Sequence, residues 1–465
     1  MPSSCRRPLR LTASLAAAAL ALAAAGCAPG TTAPPAEPAA LAVGPASPAG
    51  AASAAGGRTW LSDPPQLVSR NGVLRARIVV ERRKVRLAGR QLWALTYNGL
   101  YMPPTLRIRP GDRMELAMEN RVGPGTNVHV HGLHVSPDGR SDNVFVDILP
   151  GHTFHYSYRF PGNLTPGTYW YHSHAHPISA EQVAGGLSGI IIVDGLRHYL
   201  PPALRHITEH VIALKDFQVQ GDAIRTKGLK ISSPTTRTVN GQLDPAIRIR
   251  PGETQLWRLA NIGANIYYKL RLAGHRFQVI AQDGYPVNRV WTAASLVIAA
   301  GARFDVLVQG GAPGTTRLET LPYDTGPAGN QFPRATLATV VTGGPPMRPA
   351  ALPTAFAPFE DLSGARIAAR RTIVFSEDTK ADRYFINGRQ FDMNRVDVHT
   401  DQFQVMSTNG RPEHSQGRQD IVNVPARGRV VIRIPFTDFT GRTVLHCHIL
   451  NHEDLGMMAV LEIVP

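Results

Sequence analysis

Between His446 and Met458 the chain reads HCHILNHEDLGMM, which sets one cysteine between two histidines, with His452 five and Met457 ten positions beyond Cys447. A thiolate, an imidazole and a distant thioether are three of the four groups that hold a blue copper ion, the fourth being a second histidine. On an extended strand side chains alternate, so His446 and His448 share one face and Cys447 points to the other. One strand can then serve two sites, Cys447 with His452 and Met457 on one side and the two histidines on the other. The second histidine of the first site must come from elsewhere in the chain.

Two further clusters repeat the spacing of two. Val128 to His134 reads VHVHGLH and Tyr171 to His176 reads YHSHAH. On strands His129 shares a face with His131, and His172 with His174, so each pair can bridge metals that lie together. Gly132 allows close backbone approach, and Trp170 and Tyr171 give the second pair an apolar wall. A lone pair of this kind is more often a half-exposed strand than a site. Three such pairs in one chain, one of them interrupted by Cys447, reverse that expectation. His134, His152, His155, His176 and His275 fit no such arrangement and are expected at the surface or behind the ligands.

The elements that must position these residues are short strands. Asn98 to Asn120 reads NGLYMPPTLRIRPGDRMELAMEN and Asn240 to Asn261 reads NGQLDPAIRIRPGETQLWRLAN. Both run from an Asn-Gly turn through an apolar strand and an Arg-Pro-Gly turn to a second strand. Such a repeat implies duplicated β domains. A third copy opens at Asn387 with NGRQFDMNRVDV, but there the distance from Asn-Gly to Phe-Gln-Val falls from 37 residues (Asn240 to Phe277) to 16 (Asn387 to Phe403), a shortage of 21. The missing piece is the second turn and strand, just ahead of His399.

The 465 residues are long enough for about three domains of roughly 150 each. A net charge of +15 comes from arginines scattered along the chain without aromatic interleaving, which argues against nucleic acid as a partner. Residues 1–27 have a basic start (Arg6, Arg7, Arg10) followed by a short Ala-rich apolar run, the pattern of an export signal. The run ends at Cys27 as in a bacterial lipoprotein signal, and Arg6-Arg7 is similar to a twin-arginine signal. The mature protein is therefore expected in the periplasm or on the outer face of the cell envelope, with a possible lipid anchor through Cys27. Residues 28–57, nearly all Ala, Pro, Gly, Ser and Thr, read as a flexible tether. Three cysteines, Cys5, Cys27 and Cys447, make no disulfide framework.

The set HVHG, HSH and HCHILNHEDLGMM, in that order over residues 60–465, resembles the multicopper oxidases, especially bacterial laccase-like members. The resemblance implies an all-β chain of three cupredoxin-like Greek-key β-sandwich domains, at 58–200, 201–345 and 346–465, the third lacking a strand. It implies up to four copper ions. Cys447, His452 and Met457 match the blue-copper ligands, His129 the single copper, and His131, His172, His174, His446 and His448 the paired centre. The family's fourth motif, HPxHLH, falls where copy three is short, and His399 alone matches its final histidine. His414, on a nearby loop, is a poor substitute for the rest. Glu453 and Asp142, close in sequence to ligands, are the candidate proton donors.

Two functions follow from different classes. One is an oxidase that takes single electrons from phenols, aromatic amines or metal ions and reduces dioxygen to water. Its partners are a small reducing donor and dioxygen. The other is a cupredoxin scaffold of the cell envelope with impaired catalysis, motivated by the shortage before His399. The same shortage predicts that the third domain is the least stable, since a missing strand leaves a sheet edge unpaired and core uncovered.

Overall fold

A computed structural model describes residues 59–230, 233–327, 329–392 and 402–464. The export signal, the tether, Cys27 and His399 lie outside the described residues.

The repeated turns fix the architecture. Asn98-Gly99, Asn240-Gly241 and Asn387-Gly388 all adopt positive φ at both residues, as the tight hairpin turn requires. In each copy the asparagine side chain then binds a neighbouring strand: its Oδ1 accepts from the backbone N–H of Val79 (2.6 Å), Ala213 (2.9 Å) and Val374 (2.9 Å) respectively. The Arg-Pro-Gly turns close alike, Arg109 N–H on Asp112 and Arg250 N–H on Glu253, both at 2.8 Å. Each of the first two copies thus delivers a strand pair, Thr105–Ile108 with Arg113–Asn120 and Ala246–Ile249 with Thr254–Asn261.

Those strands build two sandwiches. In the first, a five-stranded sheet in the order Gln66–Val68, Thr105–Ile108, Ser188–Val193, Gly167–His172, His129–His131 faces a six-stranded sheet whose centre is Arg90–Tyr97, Val73–Leu87 and Arg113–Asn120. Val219–Gln220 and Ala223–Ile224, within the stretch assigned above to the second domain, extend that six-stranded sheet through Ala223 beside Trp93. The second sandwich packs a six-stranded sheet centred on Thr254–Asn261 and Arg303–Gln309 against a five-stranded one. Val80, Met114, Tyr156 and Ile191 fill the first core, and Trp257, Tyr268, Val279 and Val306 the second.

The last third is built more sparsely. Among the described residues it holds the hairpin Phe375–Asp378 and Arg383–Ile386, a three-stranded sheet in the order Arg411–Pro412, Gln404–Thr408, Val430–Arg433, and the pair Gly441–His446 with Met458–Ile463. Its sheets of two and three strands contrast with the five and six of the sandwiches. The expected strand through His448 also stops early: it ends at His446, and Cys447 and His448 follow outside it. The alternation survives because Cys447 N–H still donates to the Met457 carbonyl at 3.0 Å, one more rung of the same ladder.

Candidate metal centre

Strand register assembles the histidines. His129–His131 runs antiparallel to Gly167–His172, with His129 opposite His172 and His131 opposite Trp170. Residues directly opposite share a face. Val130 and Tyr171 therefore turn into the core of the first sandwich, while His129, His131, Trp170 and His172 line the other side. His174 lies just past the strand, held by a hydrogen bond from its backbone N–H to Asn127 Oδ1 at 2.7 Å. His446 at the end of the strand Gly441–His446 and His448 just past it complete the cluster: His446 Nε2 is 3.3 Å from His174 Nε2, and His448 Nε2 is 3.2 Å from His131 Nδ1.

For four of the rings a partner on the far side fixes which nitrogen is free. His129 Nδ1 is 2.8 Å from Asp142 Oδ2, and a carboxylate only accepts, so Nδ1 carries the proton and Nε2 the lone pair. The Ser173 carbonyl accepts from His172 Nδ1 at 2.8 Å, and the Cys447 carbonyl from His446 Nδ1 at 3.1 Å. His131 is turned over: its Nε2 faces Asp420 Oδ1 at 3.4 Å and its Nδ1 points inward. Lone pairs thus converge from several strands, and His172 Nε2 is buried with no hydrogen-bond partner. His174 Nε2 and His446 Nε2, each with Glu453 behind its Nδ1, face each other at 3.3 Å, an arrangement that a cation between them would satisfy, and His131 Nδ1 lies 3.2 Å from His448 Nε2. Burial holds His131 and His172 well below the ordinary histidine value, His174 at about 4 and His448 at about 3, so these imidazoles are neutral, the form that binds metal. His446 is the exception, because the Glu453 carboxylate outweighs burial and raises it.

Cys447 faces the other way. It packs among Tyr384, Ile386 and Met457, and its Sγ is 3.8 Å from His452 Nδ1, a span that two ligands of one ion can share at bond lengths of about 2.0–2.3 Å. The short helix Leu450–Asp454 turns His452 back toward it, and Met457 N–H donates to the His452 carbonyl at 2.9 Å. Burial pushes the Cys447 thiol up to about 12, which makes it a poor nucleophile without a cation beside it. Both donor sets fit copper. Among the described residues, however, no second histidine joins Cys447 and His452.

Two carboxylates border the histidines. Asp142 holds His129 and also accepts the Val130 N–H at 2.9 Å. Glu453 is fully buried, 2.8 Å from His446 Nδ1 and 3.6 Å from His174 Nδ1, and neither of its oxygens accepts a well-aligned hydrogen bond. Burial pushes its carboxyl up, but His174 and His446 pull it down further, below the usual carboxylate range. His134 pairs with Asp438 at 2.8 Å, His275 Nδ1 contacts its own loop at the Ala273 carbonyl, and His414 is exposed; none of the three joins the cluster.

Several contributing residues carry no sequence signal. Tyr384 stacks on His452 with ring centroids 4.1 Å apart. The Asp454 carboxylate accepts the N–H groups of Ser179 and Ala180 at 3.0 and 2.8 Å, joining the motif to the helix Ser179–Gly185 that follows the HSH pair. Asp420 reaches His131 from 289 positions away.

Fold and site together define a copper-binding chain of cupredoxin-like sandwiches with a histidine cluster between its first and last thirds. Three family models described as multicopper oxidase match residues 79–197, 209–315 and 359–465. The chain belongs to the multicopper oxidase family, copper-dependent oxidoreductases that pass electrons from a reducing donor to dioxygen. It is 24% identical over 405 residues to a multicopper oxidase of Staphylococcus aureus, covering 79% of this chain and 83% of the relative. It is 30% identical over 278 residues to copper resistance protein A of Escherichia coli, covering 48% and 44%. In fold it is similar to a laccase from Pediococcus acidilactici (TM-score 0.76, 22% identity, 89% of this chain and 95% of the other). A metallo-oxidase from Campylobacter jejuni gives a TM-score of 0.72 at 24% identity, covering 86% and 94%. These findings favour the oxidase over the impaired scaffold.

Proposed function

We propose that this chain is an exported, laccase-like oxidase that takes single electrons from small phenols, aromatic amines or metal ions. The donor side is Cys447, His452 and Met457. The dioxygen side is His131, His172 and His448 with His174 and His446 as the paired centre, and His129 as ligand of the single copper. The grouping follows the two close contacts, His131 with His448 and His174 with His446. His399, outside the described residues, would complete the second group.

Copper bound at these positions supplies one-electron transfer and the reduction of dioxygen to water. The protein's own contribution is the path and the protons. Cys447 is one peptide bond from both His446 and His448, so a single stretch of backbone links the donor side to the dioxygen side. Glu453, held as the carboxylate against His174 and His446, is the group placed to take up and pass on protons on one flank, and Asp142 on the other keeps His129 in its metal-binding tautomer. The broad donor range rests on the absence of a methionine cluster outside Met457 and Met458 in the sequence. Export, with or without lipid at Cys27, rests on residues 1–27.

The observation that carries the reading is the split at Cys447, with its thiol among Tyr384, Ile386 and Met457 and its two neighbours among the other histidines. One purified sample tests it. Copper analysis is expected to give about four ions per chain, with a strong blue band and dioxygen uptake on adding a phenol. A copper-loaded protein with no blue band and no uptake overturns it.

A further inference from the structure

Among the described histidines of the cluster, His131 is the one that turns Nδ1 inward, and something must hold it that way round. Its Nε2 faces Asp420 Oδ1, and Asp420 is itself clamped by Arg303, whose Nη1 and Nη2 donate to the two carboxylate oxygens at 2.7 Å each. Arg303 is fully buried. Its Nε donates to the Thr168 carbonyl at 3.2 Å, on the strand that carries His172, and its guanidinium lies 5.7 Å from the Tyr169 ring centroid. Asp283 Oδ1 accepts the Arg303 backbone N–H at 2.9 Å. Asp420 follows Gln419, which pairs with Phe403 through reciprocal backbone hydrogen bonds of 2.8 and 2.9 Å. The clamp therefore gathers the histidine strands, the second sandwich and the last third of the chain at one ring.

Space has been kept for it. Gly132, next to His131 and at φ +80°, is where a Cβ would stand 2.2 Å from Asp420 Oδ2 and 2.6 Å from Arg303 Nη2. A glycine here thus meets a backbone requirement and a packing requirement together.

We propose that Asp420, locked by Arg303, is a positioning residue that fixes the Nε2–H tautomer of His131 and so presents Nδ1 to copper. A ligating histidine normally gives its other N–H to a carboxylate or carbonyl, and loss of such a partner costs about 10- to 100-fold in metal affinity. The inference rests on reading His131 as a copper ligand, so its primary test needs no copper.

In the copper-free protein, nitrogen-15 correlation spectra of the imidazoles report which ring nitrogen holds the proton, with the His131 signal assigned by its absence in His131→Gln. The wild type is expected to show Nε2–H. Proton on Nδ1 in the wild type overturns the proposal whatever any variant does. In Asp420→Asn the amide oxygen turns to Arg303 and the amide N–H₂ to His131 Nε2, which must then accept, so the proton moves to Nδ1. Copper affinity of the histidine cluster, read by chelator competition, is expected to fall about 10- to 100-fold in that variant while the blue band of Cys447 stays. Arg303→Lys, which keeps the charge but not the fork, is expected to fall between. Equal weakening of both copper sites with the wild-type tautomer retained would mean that Asp420 merely docks the last third, and would overturn the proposal.

Discussion

At the scale of single residues the two sites make separable demands. Cys447→Ser is expected to abolish the blue band and lower donor oxidation on the order of 100-fold or more, because it removes a ligand rather than a partner of one. Copper bound by the histidines should persist, since their contacts run through His174 and His131 and not through the thiol. Visible and electron paramagnetic resonance spectra of one sample read both; loss of all copper together would show that the sites are not independent. Asp142→Asn leaves His129 in place but lets an amide N–H₂ donate to Nδ1, which moves the ring proton to Nε2, so copper at His129 should weaken about 10- to 100-fold and turnover should fall with it, as chelator competition and dioxygen uptake would record. The histidine pairs were legible in the sequence because a spacing of two maps to one strand face wherever a strand forms. Asp420 and Tyr384 were not, because each meets its partner through tertiary packing that no local pattern encodes.

The repeated Asn-Gly turns were legible because positive φ at two successive residues strongly selects this dipeptide, and all three copies adopt it. What the dipeptide does not announce is that the asparagine side chain also locks the neighbouring strand. Asn240 is buried and hydrogen-bonds Ala213 N–H, the Val211 carbonyl and the Ser62 carbonyl. Asn240→Ala should therefore cost about 2–3 kcal/mol, combining positive φ with buried backbone groups left unpaired. Asn240→Gly relieves the first but not the second, so thermal unfolding of the two variants separates the terms; equal midpoints for Asn240→Gly and wild type would show that the side chain contributes nothing. The strand through the cysteine was legible in direction but not in length. It ends at His446, where the helix Leu450–Asp454 begins to turn the chain back toward Cys447.

For the whole molecule, the first question is what holds the sandwiches to each other. Glu209 at the start of a second-sandwich strand accepts from Arg107 of the first sandwich at 2.9 Å, and from Arg258 at 3.0 Å and Arg197 at 3.2 Å. Burial pushes its carboxyl up, but Arg258, Arg107 and Arg197 outweigh burial and bring it down to about 2 from an ordinary 4.5. A lowered carboxyl stabilises the fold above its unfolded value and loses that contribution as pH falls through the folded one. About 3 kcal/mol should thus disappear between pH 4.5 and about 2. Glu209→Gln should be less stable at neutral pH by a similar amount and show a shallower fall across that window, as urea midpoints against pH would record; an unchanged slope would remove Glu209 from the account.

The second question is how the sparse last third stays attached. Among the described residues its sheets have two and three strands, and Val374, Phe375, Val424, Val431 and Phe436 are exposed, so little apolar burial opposes its opening. Limited proteolysis of the copper-free protein is expected to cut first within 346–465, and a first cut in either sandwich would contradict this. The histidine cluster offers a remedy, because His446 and His448 of the last third meet His174 and His131 of the first. Copper held by these histidines from both thirds would bind the closed form only, and at about a hundredfold excess over its dissociation constant should stabilise it by about 3 kcal/mol. Cleavage that proceeds through the opened state should then slow by about 100-fold. In Cys447→Ser, where the histidine copper is kept, most of that protection should remain; its loss there would place the copper that secures the last third at the cysteine rather than at the histidines.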